Sequence, residues 1–355
     1  MHIGIDLGFG NLRENLSDAA MYAGEVGLAD MAERLGFDSV WAVEHHFSDY
    51  AMCPNNIVFL AHVAGRTERV KLGTAAVIVP WHDPLRVAEN MIMLDILSDG
   101  RALLGLGRGL SRTEYAPFQI PMDQSRGRFD EAAAMIVQAL ETGYIEGAGP
   151  YYPQPRTALR PRPRASFADR MYCAAGSPDS IASAVTLGAG LLAFVTKPVT
   201  ENMDLFTGYR DQYRATHNME APPILCTINL YCHEDGNLAR ERAHGWIERY
   251  FHSHVKHYEM AGDHFQHITG YQRHAEMAEA LRDVGLDKAA DRYAASALVG
   301  TPDEIIEKIT DVHRTLGGFA LAVSPAYGGM PYEDAERSLE LFGKEVLPAA
   351  RRLGE

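Results

Sequence analysis

Two adjacent histidines follow an apolar segment in the stretch WAVEHHFSDYAM, Trp41 to Met52. An imidazole takes up and releases a proton near neutral pH, so a histidine at the end of a buried strand is a candidate for proton transfer. Successive strand residues point to opposite faces, and His45 and His46 are therefore poorly placed to hold one metal ion. The HExxH pattern, which puts two histidines on one helix face, is absent. We expect no metal site and one catalytic imidazole, with the other histidine packed in the core or capping a loop.

A second group of residues has the chemistry of a phosphate site. The segment GLGRGL, Gly105 to Leu110, allows a ligand to approach the backbone closely, and Arg108 within it offers a fork of donors that suits phosphate. The segment AAGSPDS places Ser177 and Ser180 at the start of a helix, where hydroxyls and free N–H groups bind anions. Together with Arg126, these residues predict one phosphate at the rim of the fold. A tight turn with a solvated arginine and an ordinary helix N-cap are the alternatives.

Eight apolar, β-rich segments must hold these residues in place. The predicted strands are His2–Leu7, Ser39–Val43, Lys71–Val79, Ala102–Leu106, Met171–Ala174, Leu191–Val195, Ile224–Cys232 and Phe319–Val323. Near-continuous apolar runs of this kind are typical of a parallel sheet that is covered on both faces. Helix-like segments separate most of them, which favours an α/β fold of the (β/α)8 TIM-barrel type over an open doubly wound sheet. In such a barrel the chemistry lies at the C-terminal ends of the strands, where the histidines, glycines and serines fall.

Helix signals lie between these strands. The spacing of apolar residues predicts helices over Glu25–Leu35, Pro84–Leu97 and Arg128–Thr142. The sequence GTPDE predicts a helix start in which Thr301 is the cap and Glu304 closes a capping box. These signals supply the helical layer that a barrel requires.

Two stretches interrupt the alternation of strands and helices. The proline-rich stretch Gly147–Arg164 predicts an extended loop. The longer stretch His252–Ala294 holds six histidines up to His274 and predicts an insertion over one mouth of the barrel. A solvated or loosely packed segment is the alternative. We expect a single domain over residues 1–355, with the insertion around residues 252–294.

Charge and composition exclude several classes of partner. Thirty-three Lys and Arg residues against 47 Asp and Glu residues give a net charge of −14, which disfavours nucleic acid, and no basic helix face suits an anionic membrane surface. The N-terminus carries no signal-peptide pattern, and no apolar run approaches the ~20 residues that span a bilayer. The four cysteines lack CxxC spacing. These observations predict a cytoplasmic protein with reduced thiols.

Taken together, the segments resemble the bacterial luciferase-like, flavin-dependent monooxygenases, and most closely the luciferase α-subunit branch. The resemblance covers nearly the whole chain and is carried, in order, by GFDSVWAVEHHF, VKLGTAAVIVP, HDPLRVAENMIMLDILSDGR, GLGRGL, MDQSR and GTPDE. It implies a TIM barrel that binds reduced FMN, adds O2 to form a C4a-(hydro)peroxyflavin and transfers one oxygen atom to a small organic substrate.

The resemblance also implies roles for individual residues. His45 matches the catalytic histidine, with His46 as its neighbour, and Glu114 matches an acidic position near the flavin. Ala75 and Ala76 match a non-proline cis peptide against the flavin ring. The implied contacts to the flavin phosphate are Arg108, Arg126, Ser177 and Ser180.

The insertion and three substitutions complete the comparison with the luciferase α pattern. The segment Lys256–His274 matches a mobile lid that shields the flavin from water. Gly107 stands in place of a reactive cysteine, Gly176 in place of a glutamate near the phosphate, and Phe194 in place of a tryptophan beside the ring. These departures keep the flavin site but weaken the case for light emission. The small Gly107 also predicts space for a substrate bulkier than a straight-chain aldehyde.

Partners and alternatives follow from the same resemblance. A separate NAD(P)H:flavin reductase would supply FMNH2, because no GxGxxG segment with a downstream acid remains to bind a nicotinamide dinucleotide. A homodimer is the expectation for the family. One alternative is a deazaflavin-dependent dehydrogenase on the same fold, which passes hydride and does not activate O2. The other is a non-catalytic flavin-binding subunit, against which the presence of both His45 and Arg108 argues. Aldehyde oxidation, Baeyer–Villiger oxidation and hydroxylation all remain open.

Overall fold

The computed structural model describes residues 1–268 and 270–353. Its strands are β1 (Ile3–Leu7), β2 (Ser39–Ala42), β3 (Lys71–Thr74), β4 (Val77–Ile78), β5 (Ala102–Gly107), β6 (Tyr144–Gly147), β7 (Gln154–Ala158), β8 (Met171–Ala174), β9 (Gly190–Phe194), β10 (Ile224–Cys232), β11 (Leu298–Gly300) and β12 (Phe319–Ser324). Eight of them form a closed parallel barrel in the order β1, β2, β3, β5, β8, β9, β10, β12, with β12 paired back to β1. The predicted (β/α)8 barrel is therefore confirmed.

The sequence placed the barrel strands to within one residue at each end, with one exception. The third predicted strand, Lys71–Val79, is interrupted after Thr74 and continues only briefly as β4. The interruption is the peptide bond between Ala75 and Ala76, which is cis. The strand resumes after this bond in the same direction, since β3 and β4 both pair parallel to β5.

The described helices surround the barrel. They are α1 (Asp18–Leu35), α2 (Asn56–Ala64), α3 (Pro84–Leu97), α4 (Arg112–Tyr115), α5 (Ser125–Thr142), α6 (Pro178–Thr186), α7 (Met203–His217), α8 (Gly236–His257), α9 (Gln272–Val284), α10 (Leu286–Ser296), α11 (Pro302–Leu316), α12 (Tyr332–Leu341) and α13 (Leu347–Arg352). Within the described ranges, none of the helices has both the length and the hydropathy to cross a bilayer.

Local capping explains where several helices begin. The predicted capping box of α11 is present, because Thr301 and Glu304 exchange side-chain and backbone hydrogen bonds. Helix α1 begins seven residues earlier than the predicted Glu25, since the Ser17 hydroxyl accepts a hydrogen bond from the backbone N–H of Ala20. The N-cap therefore sets the start of α1, which lies before the residues whose apolar spacing is clearest.

The two interrupting stretches hold more regular structure than the sequence predicted. Strands β6 and β7 form an antiparallel hairpin, so the prediction of an extended loop over Gly147–Arg164 was wrong for its first half. The insertion at 252–294 is mostly helical: it contains the end of α8, all of α9 and most of α10. His257 and His264 within it are buried and His267 is exposed, so the alternative of a solvated, loosely packed segment fails for part of the insertion.

Candidate active site

His45 lies just beyond β2, at the C-terminal mouth of the barrel, and both of its ring nitrogens are engaged. Its Nδ1 lies 3.1 Å from Oε1 of Glu114, on the short helix α4. Its Nε2 lies 3.1 Å from the hydroxyl of Tyr258, which follows α8. Three separate elements thus fix the orientation of one partly buried imidazole.

Glu114 is a buried carboxylate held by donors on several sides. Its Oε1 accepts a hydrogen bond of 2.7 Å from the backbone N–H of His46 and faces Nε2 of His257 at 3.4 Å. Burial alone would raise the pKa of this carboxyl, but the bonds from His257 and His45 outweigh burial and hold the pKa at about 2. Glu114 is therefore ionised at neutral pH, and a carboxylate at Nδ1 favours the tautomer of His45 that carries its proton there.

His257 and Tyr50 complete this cluster, and sequence reasoning did not identify either as a site residue. The Ser48 hydroxyl lies 2.9 Å from Nδ1 of His257, whose pKa is lowered by burial. The ring of Tyr50 stacks on His257 at a centroid distance of 4.7 Å and meets His45 edge-on at 5.1 Å. The one sequence feature that could have identified His257 was the run of histidines in the insertion. The spacing of these histidines does not show which of them reaches the barrel mouth.

The ring of His46 does not join His45. It lies 3.5 Å from the buried carboxylate of Glu44 and packs edge-on against Trp81. Glu44 also receives a 2.6 Å hydrogen bond from Nε2 of His82, and these two histidines outweigh burial to lower the pKa of Glu44. The EHHF motif thus follows a buried strand with carboxylate–histidine contacts on two sides: Glu44 anchors the loop after β4, and His45 faces Glu114. Of the two adjacent histidines, only the ring of His45 contacts Glu114, and because β2 ends at Ala42, the loop rather than strand alternation separates the two rings.

The same cluster also bears on whether this site could bind a metal ion. His45, Glu114 and His257 place possible ligand atoms within 4.8 Å of one another, a separation that a divalent cation could bridge. The histidine that approaches His45 is therefore His257, 212 residues distant, rather than the adjacent His46. Oε1 of Glu114 is engaged by His45 and by the backbone N–H of His46, whereas Oε2 of Glu114 and Nε2 of His257 are buried without a hydrogen-bond partner in the described part of the chain. The expectation that no metal binds stays a prediction.

Arg108 directly follows β5, and Arg126 lies in the first turn of α5. Arg108 donates a 3.0 Å hydrogen bond from Nη1 to the carbonyl of Gly270, and its guanidinium stacks over the Tyr271 ring at 3.8 Å. Burial, together with the charge of Arg126, lowers the pKa of Arg108. Arg126 bonds Ser183 through Nη1, but its Nε and Nη2 are buried and have no partner in the described part of the chain. Two close guanidiniums, of which that of Arg126 has unsatisfied donors, form a strong anion-binding set.

The serines of the AAGSPDS segment cap helix α6. Ser177 is the N-cap and forms a capping box with Ser180, and their hydroxyl oxygens lie 3.0 Å apart. The Ser180 hydroxyl also accepts from the backbone N–H of Gly176 at 3.1 Å. A Cβ placed on Gly176 would meet no atom within 4 Å, so space remains beside this turn. The capping alternative is confirmed, and contact of these serines with phosphate stays a prediction.

The residues expected beside a flavin ring line the same mouth. Ala75 and Ala76 are joined by the cis bond predicted from the resemblance. Phe194, at the end of β9, is 47% exposed. A methyl group on Gly107 would lie 2.9 Å from Cδ1 of Ile78 and 3.3 Å from Cβ of Ala76. Ile78 therefore fills part of the space that the glycine was expected to leave for a bulkier substrate.

The donors present suit a flavin mononucleotide. A phosphate dianion needs fixed cationic donors, and Arg108 and Arg126 supply them next to the N-terminus of α6. The unpartnered N–H groups of Arg126 and the open space at Gly176 are consistent with a group that binds between them. A separate groove of about 750 Å³ lies between α1 and α2 on the outside of the barrel, and its lining includes none of these residues.

Comparisons with known proteins agree with this arrangement. Residues 1–318 match the family model described as luciferase-like monooxygenase. The alkanal monooxygenase α chain of Photobacterium leiognathi is 27% identical, and the match covers 91% of this chain and 92% of that protein. The oxygenase component of a flavin-dependent trigonelline monooxygenase from Acinetobacter baylyi is 27% identical over 59% of each chain.

Solved structures extend the likeness. Monooxygenase RslO1 from Streptomyces bottropensis is 30% identical, covers 98% of this chain and 99% of its own, and superposes with a TM-score of 0.77. The oxygenating constituent of 3,6-diketocamphane monooxygenase from Pseudomonas putida, solved with FMN, is 20% identical, covers 98% of each chain and has a TM-score of 0.73. An F420-dependent secondary alcohol dehydrogenase is 17% identical, covers 99% of this chain and of its own, and also has a TM-score of 0.73. The last two show a shared fold.

Proposed function

The chain belongs to the luciferase-like monooxygenase family, and we propose that it is an FMNH2- and O2-dependent monooxygenase that inserts one oxygen atom into a small organic substrate. The observation that carries the proposal is the pairing of His45 with the buried carboxylate of Glu114 at the barrel mouth, together with the two close guanidiniums of Arg108 and Arg126. The histidine–carboxylate pair is suited to move a proton, and the guanidiniums are suited to hold a phosphate.

Arg108, Arg126 and the N-terminus of α6 would hold the FMN phosphate, and the Ala75–Ala76 segment would support the ring. Reduced FMN, when bound, supplies the electrons with which O2 is activated. The charge-assisted contacts position the cofactor, since an arginine fork and a helix N-terminus both favour a dianion.

His45 would hold and move the proton of the reaction. Its Nδ1 proton faces Glu114, so Nε2 is the nitrogen that exchanges a proton with bound groups, in the place where Tyr258 now lies. The Glu114 carboxylate stabilises the imidazolium when the ring is charged. Tyr50, His257 and Tyr258 cover the imidazole and exclude water from this side of the mouth.

The two-component character of the enzyme is part of the proposal. A relative is named as the oxygenase component of a flavin-dependent monooxygenase, which supports a separate reductase as the source of reduced flavin. The glycine-rich segment GLGRGL lies at the end of a strand of the barrel and contains Arg108, a predicted contact of the flavin phosphate. We therefore assign this segment to the flavin rather than to a nicotinamide dinucleotide. Homodimerisation and residence in the cytoplasm stay predictions, to be tested by sedimentation velocity and by cell fractionation.

A deazaflavin-dependent dehydrogenase remains the second candidate, because a dehydrogenase of that cofactor class has the same fold. The experiment that separates the readings is anaerobic titration of the pure protein with FMN, reduced FMN and coenzyme F420, followed by exposure to O2. We expect tight binding of reduced FMN and O2 consumption that depends on it. Preferred binding of F420, with no reaction with O2, would replace the proposal by the dehydrogenase, and binding without turnover of any substrate would favour a non-catalytic subunit.

A further inference from the structure

A layer of polar side chains lies inside the barrel, on the strands that carry none of the predicted flavin contacts. Asp6 on β1, Asn229 on β10 and Ser324 on β12 form this polar layer. Asn229 is paired with Ser324 in the ladder, and Ser324 lies 3.2 Å from Oδ2 of Asp6. Asp6 is also paired with Trp41, which belongs to the cluster inside the barrel, so the layer faces the barrel interior.

The position of the layer in the barrel separates it from the flavin half of the mouth. The predicted flavin contacts lie at the ends of β3, β5, β8 and β9, whereas the polar layer lies on the neighbouring strands β10, β12 and β1. His45 follows β2, the strand that joins the two halves. A molecule held on the polar layer would therefore lie across the mouth from the flavin, beside the proton-transfer cluster.

Two atoms near this layer are buried and unsatisfied. Oδ1 of Asp6 and the hydroxyl of Tyr327 have no hydrogen-bond partner among residues 1–268 and 270–353, although both side chains are more than nine-tenths buried. Buried polar groups are nearly always hydrogen-bonded, and an exception requires an explanation. Burial raises the pKa of Asp6 to about 7, which its bond to Ser324 only partly opposes.

Four tyrosines cover the polar layer: Tyr50, Tyr250, Tyr293 and Tyr327. The ring of Tyr250 lies 5.7 Å from that of Tyr50, 6.0 Å from that of Tyr293 and 6.2 Å from that of Tyr327. Tyr293 accepts a 3.2 Å hydrogen bond from Asn229. This tyrosine cluster thus extends from the polar layer to Tyr50, which meets His45 edge-on.

We propose that the polar layer and the tyrosine cluster are the substrate site, and that they take an aromatic molecule bearing a hydroxyl donor, such as a phenol. Aromatic rings pack favourably against the faces and edges of tyrosine rings. A flexible alkyl chain does not need a site lined by so many aromatic rings. A phenolic hydroxyl would donate to Oδ1 of Asp6 and leave its own oxygen for a further donor. A straight-chain aldehyde has no donor, and it would leave Oδ1 of Asp6 unsatisfied.

Access to the site would depend on the insertion. Tyr293 belongs to α10 and Tyr250 to α8, the two helices that flank the start and the end of the insertion. Outward movement of these helices would uncover Asp6, and their return would enclose the substrate beside His45. The inference rests on the proposed function for the reaction that follows, but binding itself requires no flavin chemistry.

The test is a binding measurement that needs no turnover. Isothermal titration of the full chain, with and without oxidised FMN, would compare 2-naphthol with 2-methoxynaphthalene, which has a similar shape but no hydroxyl donor, and with decanal. At pH 8, where most Asp6 carboxyls are ionised, we expect 2-naphthol to bind about tenfold or more tightly than either, because only it can donate a hydrogen bond to Oδ1 of Asp6. Equal binding of the naphthol and its methyl ether, or preferred binding of decanal, would overturn the proposal.

Matched variants locate the binding. Asp6→Asn and Tyr327→Phe should each weaken 2-naphthol binding several-fold and leave FMN affinity unchanged. Glu25→Gln is the control for the acid, because Glu25 is an equally buried carboxyl outside the barrel interior, and Tyr213→Phe is the control for the tyrosine. If Asp6→Asn does not fold, Tyr327→Phe decides alone. If both variants still bind 2-naphthol as tightly as the wild type, the inference is wrong. If the wild-type chain does not bind FMN, only the proposed function is wrong.

Discussion

Oε1 of Glu114 lies 3.1 Å from Nδ1 of His45, although 69 residues separate the two in the chain. The same oxygen accepts the backbone N–H of His46, so the carboxylate fixes both the ring and the loop that carries it. This contact favours one tautomer of His45, and the pair, rather than the adjacent histidines, is the unit of proton transfer that we propose.

We predict that His45→Ala abolishes most oxygenation and leaves folding and FMN binding intact. A positioned acid–base group contributes about 10²–10⁴-fold to rate, so kcat should fall by that order. The measurement is steady-state turnover, with the melting temperature and FMN Kd recorded for the same variant. His62→Ala, on the outer helix α2, is the control, and a fully active His45→Ala enzyme would remove this residue from the site.

Glu114→Gln should lower kcat about tenfold or more, because an amide no longer enforces the proton on Nδ1 of His45. FMN affinity should not change, since the Glu114 carboxylate contacts His45, His257 and the backbone N–H of His46 rather than a predicted phosphate contact. Turnover as a function of pH is the measurement, with Glu340→Gln, a surface ion-pair partner of Arg34, as the control. Added EDTA should have no effect on the wild-type enzyme, and metal-dependent activity would assign the His45–Glu114–His257 cluster to an ion instead.

Arg108→Ala and Arg126→Ala should each weaken FMN binding about tenfold, because a charge-assisted contact contributes about 1.5–3 kcal/mol. Riboflavin, which lacks the phosphate, should lose much less affinity. Fluorescence titration of both flavins measures the difference, and Arg66→Ala, an exposed partner of Asp30, is the control. Equal losses for FMN and riboflavin would show that these residues do not contact the phosphate.

The insertion should open as a lid, and Arg108 should help to close it. Arg108 bonds the Gly270 carbonyl and stacks on Tyr271, so its removal should loosen this part of the segment. Limited trypsin digestion should cut first near Lys256 or Arg273, more slowly with bound FMN and faster in Arg108→Ala. Complete resistance of the flavin-free protein would contradict a mobile lid.

Stability should fall as the pH rises from 5 to 7, in part through Glu25. Burial raises the pKa of this carboxyl to about 7, above its unfolded value, so the folded state retains a proton that the unfolded state has lost. The contribution of Glu25 to the free energy of unfolding is present at low pH and is lost as the pH rises through about 7. The free energy of unfolding should fall by up to about 3 kcal/mol over this range. Urea unfolding should show Glu25→Gln gaining on the wild type from pH 5 to pH 8; a constant difference would refute the raised pKa.

The barrel could be predicted from the sequence because its determinants are local. Apolar runs such as Ile224–Cys232 identified each strand, and GTPDE identified the start of α11. The short strand β11 escaped prediction, because it holds three residues and is stabilised only by pairing with β10. The hairpin of β6 and β7 was hidden by prolines that occupy its turn and its edge strand.

The active site could be predicted only in part, for the same reason. His45 and Arg108 stand at strand ends, which a barrel brings together. His257, Tyr258 and the polar layer depend on contacts between segments about 140 to 320 residues apart, and spacing along the chain does not encode such contacts. The sequence predicted that the rings of His45 and His46 separate, although by strand alternation beyond the actual end of β2, and it did not predict the approach of His257 to Glu114.

The most direct test of the central claim is incorporation of oxygen from 18O2. The pure protein, FMN, NADH and 18O2 would be incubated with 2-naphthol, decanal and a cyclic ketone, with and without an added flavin reductase, and the products analysed by mass spectrometry. We predict one 18O atom in a product only when the reductase or chemically reduced FMN is present. Oxygenation driven by NADH and this chain alone would contradict the two-component account, and reduction of F420 with no requirement for O2 would contradict the monooxygenase itself.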